Sequence, residues 1–443
     1  MQETIFALAS APGRAGVAVV RVSGPLAGRA LDALAGARPA PRAAALRRIA
    51  ASGGAEIDRG LVLWFPGPAS FTGEDCAEFH VHGGPAVVAA LADALSAFGL
   101  RPAEAGEFTR RAFENDKMDL TEAEGLADLI DAETEGQRAQ ALAQMTGALR
   151  TLYETWRDQL IHVLAALEGE IDFPDEDDVP DHLSETAGAP LDSLIAGLSA
   201  HLDDNRRGER VREGFVVALI GAPNAGKSSL LNALARREAA IVTDIPGTTR
   251  DIVEVRLVLG GFPVILADTA GLREAADQIE AEGVRRALAR AEDADLRLGV
   301  VDVSRETSPP VVERLRAGDG LVLNKTDLGG AAEAAVLAPE GVARFELAAT
   351  TGAGLPALEV WLAETVSARL SRREAPALSR ARHRHAVGRS LEHLQAARLR
   401  LADAPELAAA EVHLGLRALE SLTGRIDVED VLDRVFSQFC IGK

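Results

Sequence analysis

The chain has 443 residues, 47% of them hydrophobic and 26% charged, with a net charge of −20. That length predicts two or three domains, two cysteines exclude a disulfide scaffold, and no uncharged apolar run reaches the roughly 18 residues a membrane span needs. A chain this acidic cannot be a general nucleic-acid coat, since phosphate binding needs positive charge that releases counterions; with no secretory h-region, it reads as cytoplasmic.

In chain order, residues 1 to about 117 read as a mixed α/β unit. The stretches Val17 to Val22 and Leu61 to Phe65 are apolar, rich in β-branched or aromatic side chains, and bounded by Gly and Pro, as strands are. Pro85 to Phe98 reads as a helix with proline in its first turn. From 118 to 210 the period changes. Leu149, Leu152, Tyr153, Trp156, Leu160, Val163, Leu164, Leu167 and Ile171 fall three and four apart, one face of a long helix that the acidic run Asp172 to Asp178 closes. Residues 211–376 alternate apolar strands with helical stretches, the pattern of a parallel sheet. Helix returns over 377–443, where Val387, Leu391, Leu394, Ala397 and Leu401 share a face, as do Val428, Leu432, Val435, Phe436 and Phe439. The fold class is thus α/β plus all-α: an N-terminal α+β domain, then a helical domain into which an α/β unit is inserted. Two arginine groups, Arg206, Arg207, Arg210 and Arg212, then Arg369, Arg372, Arg373, Arg380, Arg382 and Arg384, read as solvated faces.

The strongest chemical signal is G-A-P-N-A-G-K-S, Gly221 to Ser228, between the strand-like Phe215 to Ile220 and the helix-like Ser229 to Leu234. That is the context of a phosphate loop: glycines let backbone N–H groups curl around phosphates at a helix N-terminus. Lys227 reaches the outer phosphates and the Ser228 hydroxyl ligates magnesium. Asp268-Thr269-Ala270-Gly271 ends an apolar stretch, so its carboxylate can hold hydrated magnesium and Gly271 can offer an N–H to the γ-phosphate. Asn324-Lys325-Thr326-Asp327 follows another strand, and Asp327 can accept two hydrogen bonds from a guanine edge, which makes the nucleotide GTP. Gly247-Thr248-Thr249 lies between, where a threonine can sense the γ-phosphate. Leu272 stands where many small GTPases carry a water-positioning glutamine, so another group must orient water, with Glu280 and Glu274 as candidates. Asn224, inside the loop, is a possible ligand for a monovalent cation.

Together with Ala11-Pro12-Gly13-Arg14, Phe71 to Asp75, Asn115-Asp116-Lys117, Phe173 to Glu176 and the terminal Phe439-Cys440-Ile441-Gly442-Lys443, these motifs resemble the MnmE (TrmE) family of bacterial and organellar tRNA modification GTPases over essentially the whole chain. The resemblance implies a folate-binding, dimerising N-terminal domain over 1–117, a helical domain from 118–210 and 377–443, and an inserted Ras-like P-loop G domain over 211–376. It implies a homodimer that acts on tRNA with the FAD-dependent partner MnmG. The pair installs an aminomethyl-type group at carbon five of the wobble uridine, drawing its methylene from 5-formyl- or methylene-tetrahydrofolate. It also implies a G-domain site that includes Asn224, Ala225, Gly226, Lys227, Ser228 and Ser229, the run Thr243, Asp244, Ile245, Pro246, Gly247, Thr248 and Thr249, and the residues Asp268 to Gly271. Potassium maps to Asn224, Thr243, Ile245 and Thr248, magnesium to Ser228 and Thr249, and the catalytic acid to Glu280. Folate maps to Arg21, Glu78, Lys117 and Lys443; a pterin edge suits the carboxylate of Glu78, and a glutamate tail suits the cations.

One departure concerns base recognition. Ala348-Ala349-Thr350 replaces the usual Ser-Ala-Lys or Ser-Ala-Arg; the Ala349 N–H can still reach guanine, while loss of the serine hydroxyl is expected to affect nucleotide affinity. Cys76 reads as packing, and His80 and His82 as structural rather than as a metal pair. Cys440 can be a lipidation box, a reactive thiol or a buried side chain. Gly442 and Lys443 do not suit prenylation, and the resemblance favours a catalytic Cys440 near the one-carbon carrier. The competing function is a GTP-switched ribosome-assembly or RNA-binding GTPase, which predicts a basic appendage that the acidic composition does not supply.

Overall fold

The computed structural model describes residues 3–172, 183–237, 254–268, 294–305, 310–329, 338–371, 376–425, 429–437, 439 and 442. They belong to two compact units. One comprises Met1–Ala127, Gln144–Glu185 and Leu399–Lys443; the other comprises Asp128–Ala143 and Thr186–Arg398.

The first unit is built on six strands: β1 (Ile5–Leu8), β2 (Ala15–Ser23), β3 (Ala45–Ala50), β4 (Glu56–Phe65), β5 (Cys76–Gly83) and β6 (Arg101–Pro102). Their order is β3-β4-β5-β2-β1-β6. The pairings are antiparallel except for β1 with β6. Side chains alternate across the pleat, so Phe6, Val20, Val22, Val62, Phe79 and Val81 bury one face together with Leu31 and Leu91 of the helices Ala27–Ala35 and Pro85–Ala97. The opposite parity places Ala7, Arg21, Glu78 and Leu63 in one row across β1, β2, β5 and β4. Ile5 and Ala7 on that face pack with Phe108 and Phe71.

The expected long helix spans Ala148–Asp172. Its Leu149, Tyr153, Trp156, Leu160, Val163, Leu164 and Leu167 are buried, and it packs along the helix Pro405–Thr423. Arg157–Glu420 (3.0 Å) and Arg425–Glu154 (3.1 Å) flank that contact. The acidic run beyond Asp172 lies outside the described residues. The helix Glu429–Phe436 packs on Glu107–Glu114, with the Phe113 and Phe436 rings 6.3 Å apart.

The second unit carries β7 (Phe215–Ile220), β8 (Glu254–Leu259), β9 (Phe262–Asp268), β10 (Leu296–Asp302), β11 (Gly320–Asn324) and β12 (Ala343–Glu346), in the order β12-β11-β10-β7-β9-β8. Only β8 runs antiparallel to its neighbour. Every residue of β10 and β11 is buried, as expected of central parallel strands covered on both faces. The arginine groups bear out the expected solvated faces only in part: Arg206 and Arg369 are exposed, while others are held by carboxylates. Arg212 and Arg380 share Asp128 at 3.1 and 2.7 Å, Arg210 meets Asp295 at 2.5 Å, and Arg384 meets Asp204 at 2.5 Å. Folding brings together arginines and carboxylates far apart in sequence, which spacing along the chain does not reveal. Arg372 and Arg373 lie outside the described residues.

Candidate functional site

In the second unit the chain reverses its direction of winding at β7, which has β9 on one side and β10 on the other. Ligands of open α/β sheets bind at the carboxyl end of such a strand. Gly221 to Lys227 leaves β7 there and enters the helix Lys227–Arg237, and the first-turn N–H groups of such a helix suit an anion. Lys227, 3% exposed, donates from Nζ to the carbonyls of Gly221 and Ala222, each at 2.8 Å. Ser228 Oγ donates to Asp268 Oδ2 at 2.7 Å, joining the loop to the end of β9. A hydroxyl and a carboxylate oxygen side by side are the donor set a hard divalent cation such as magnesium takes.

The segment after β11 is tied to the same loop. Asn324, 1% exposed, donates from Nδ2 to the Ala225 carbonyl at 2.9 Å and accepts from the Ala349 N–H at 3.0 Å. Gly226 is fixed by this contact: its φ is +97°, and a Cβ there would collide with Asn324 Nδ2. Lys325 Nζ donates to the Asn224 carbonyl at 2.8 Å and to Asp302 Oδ2 at 2.5 Å. Burial would raise the Asp302 carboxyl, but its hydrogen bonds to Lys325 and Ser304 outweigh this and hold it below its ordinary value. Motif spacing does not single out Asp302, although a carboxylate closing Leu296 to Val301, apolar but for Arg297, is a legible sign of a strand end. Asn224, Ser228 and Ser229 are exposed. Asp327 is exposed as well, and Thr350 Oγ1 donates to its Oδ2 at 3.4 Å. Residues 243–249, 269–271, Leu272, Glu274 and Glu280 lie outside the described residues, so the structure neither gathers nor separates them.

In the first unit, Arg21 Nε and Nη2 both donate to Glu78 Oε1, at 3.1 and 3.0 Å, while His80 Nε2 lies 3.0 Å from Glu78 Oε2. The Arg21 guanidinium stands 5.2 Å from the Phe71 ring centre and 5.9 Å from that of Phe108. Burial pushes the Glu78 carboxyl up; the His80 hydrogen bond and the Arg21 charge more than offset it, and the group stays below its usual range. His82 instead bonds Asp58, at 2.9 Å. Lys117 is exposed, and its segment adjoins the Phe71 to Asp75 loop, since Asn115 Nδ2 donates to the Thr72 carbonyl at 2.7 Å. Beneath that loop Glu74 accepts from Ser23 (2.6 Å) and buried Arg111 (3.1 Å). Cys76, 3% exposed, packs against Thr72 and Ser23.

Cys440 and Lys443 lie outside the described residues, but Gly442 is buried with φ +97°, where a Cβ would collide with the Leu8 carbonyl. Leu8 follows Ala7, the register partner of Arg21. A half-buried carboxylate flanked by a guanidinium, an imidazole and two aromatic rings is a donor and acceptor set that fits a flat heterocycle with N–H groups on one edge. No described helix is long and apolar enough to cross a membrane.

Comparison with known proteins gives consistent results. The family description "GTP-binding protein TrmE N-terminus" matches residues 4–117, and "MnmE helical domain" matches residues 120–440. The chain is 66% identical over 445 residues to the tRNA modification GTPase MnmE of Maricaulis maris and 56% identical over 450 residues to that of Caulobacter vibrioides, covering 100% of both chains in each case. It is likewise 56% identical over 447 residues to the protein of that name from Parvibaculum lavamentivorans, again with 100% of each covered.

Proposed function

The chain belongs to the MnmE (TrmE) family of tRNA modification GTPases, and from that premise we propose that it modifies carbon five of the wobble uridine of certain tRNAs together with the FAD-dependent protein MnmG. The observation that carries the GTP-dependent part is the phosphate loop at the sheet's switch point, with Lys227 over its carbonyls and Ser228 against Asp268. In this reading Ser228 and Thr249 hold magnesium, and Asp327 and the Ala349 N–H read guanine. Glu280 positions water, while Asn224, Thr243, Ile245 and Thr248 hold potassium.

The folate part rests on Arg21 and Glu78, with Lys117 and Lys443 for the ligand's acidic tail and Cys440 near its one-carbon unit. When bound, a tetrahydrofolate derivative would supply the methylene of the new aminomethyl group. The protein's own residues then orient the heterocycle: Glu78 accepts its N–H edge, and Phe71 and Phe108 wall the site. Domain boundaries at 117, 210 and 376 belong to the same proposal. A homodimer through the N-terminal domain is supported by apolar side chains open to solvent on the face that bears Glu78. Val17 is 55% exposed, Leu46 68% and Leu61 42%, and the last two are paired in register.

The test is mass spectrometry of tRNA wobble uridines in a strain that lacks this protein, complemented with the wild type or with Lys227→Ala. Wild type should restore the modified nucleoside and Lys227→Ala should not. Unchanged nucleosides on deletion would sink the proposal and leave the ribosome-assembly reading.

A further inference from the structure

We propose that His80 is a positioning residue of the folate pocket, an inference that rests on the reading of Arg21 and Glu78 given above. Both donating nitrogens of Arg21 go to one oxygen of Glu78, Oε1, and His80 takes the other, Oε2, at 3.0 Å. The guanidinium therefore does not grip the carboxylate in the two-oxygen fork that Arg and Glu otherwise favour. The last torsion of a glutamate is broad and nearly two-fold, so Arg21 alone leaves the carboxylate free to swing into that fork and engage both oxygens. His80 prevents this by holding Oε2.

The imidazole is itself held. His80 lies on β5 between Val19 of β2 and Leu61 of β4, its register partners on either side, and its side chain is 27% exposed. An imidazole set between two aliphatic side chains on a central strand has little freedom to turn, so Nε2 stays aimed at Glu78. On the same face Glu78, its hydrogen-bond partner, stands two residues back along β5, and Arg21 of β2 is the register partner of Glu78.

The consequence appears when ligand arrives. A heterocycle that lays its N–H edge on Glu78 also brings its ring acceptors against Arg21, and Glu78, with its side chain only 16% exposed, would have to share the cation that compensates its burial. A buried carboxylate left without a partner is costly. With Oε2 bonded to His80, Glu78 stays ionised and aimed, so Arg21 can turn to the ligand at lower cost.

The test is the affinity of the full chain for 5-formyltetrahydrofolate, measured by titration calorimetry on wild type, His80→Leu, His80→Gln, Glu78→Ala and Arg21→Ala. His80→Leu removes the donor and keeps an apolar filler between Leu61 and Val19; it should weaken binding on the order of 10-fold. His80→Gln carries an amide donor and should recover most of that loss. If His80→Leu does not fold, judged by its unfolding midpoint, His80→Phe takes its place. Wild-type affinity in the apolar variant, with binding lost in Glu78→Ala, would overturn the role of His80 and leave the pocket standing. An equal loss in His80→Gln and His80→Leu would also overturn it, assigning the effect to ring packing. Wild-type affinity in both Glu78→Ala and Arg21→Ala would remove the pocket reading itself.

Discussion

A carboxylate that accepts two hydrogen bonds from a base edge binds better if it is held still before the base arrives. Asp327 is exposed on a short turn, and its described side-chain partner is Thr350 at 3.4 Å. Ala348 has no hydroxyl to offer, and the hydroxyl of Thr350, two residues further along, makes this contact. The Ala348 N–H bonds the Ala353 carbonyl at 2.9 Å, closing the loop that presents Thr350. Thr350→Val keeps the shape and deletes the hydroxyl, so GTP affinity should fall about 2- to 10-fold, the worth of one hydrogen bond. Equilibrium binding of a fluorescent GTP analogue measures this, and an unchanged Kd would make the contact incidental. The places of Lys227 and Asn324 at the loop after β7 were legible because they follow from short spacing along the chain. Thr350, Asp302 and His80 were not, because their partners are fixed by register between strands or by loops that meet only once the sheet exists.

At the scale of elements, the helix Glu107–Glu114 joins the first unit's sheet to its neighbours through charge. Glu107 accepts from Arg101 at 2.7 Å and from Arg111 at 2.9 Å, and Arg111 also reaches Glu74. Burial would raise the Glu107 carboxyl, but Arg101, the Glu104 N–H and Arg111 bring it down to about 2 from an ordinary 4.5. A carboxyl lowered in the folded state adds stability above its unfolded value and loses that contribution as pH falls through the folded one. Glu107→Gln should therefore lower the urea midpoint at pH 7, with the gap to wild type closing between about pH 4.5 and 2. A gap constant over that range would deny the network any charge-linked stability. Among elements, periodicity found the long helix Ala148–Asp172 and the strand Phe215–Ile220, because each buries one regular set of side chains. It could not tell which helix joins which compact unit: Ala148–Asp172 belongs to the first and Leu183–Leu202, from Thr186 on, to the second, a division that only tertiary packing makes.

At the scale of the whole molecule, a net charge of −20 means that two copies repel when brought together, more so at low ionic strength. On the proposed reading, a potassium ion held by Asn224, Thr243, Ile245 and Thr248 would supply positive charge to the negative charge developing on the phosphate, in a site sized for potassium rather than sodium. GTP hydrolysis should thus run faster in KCl than in NaCl of equal concentration, on the order of tenfold or more, with Glu280→Ala slow in both. Equal rates in the two salts would remove Asn224 from its proposed cation role. The chain's connectivity has a further consequence, for the order of its making. A ribosome finishes all of Thr186–Arg398 before it reaches Leu399–Lys443, yet Gly442 packs on Leu8 and the helix Glu429–Phe436 on Glu107–Glu114. The earliest-made sheet therefore gains its last packing partners only at the end. Until then the Leu8 end lacks that contact, and a nascent chain stalled just after Arg398 would hold the whole of the second unit's sequence while the first unit is still unfinished.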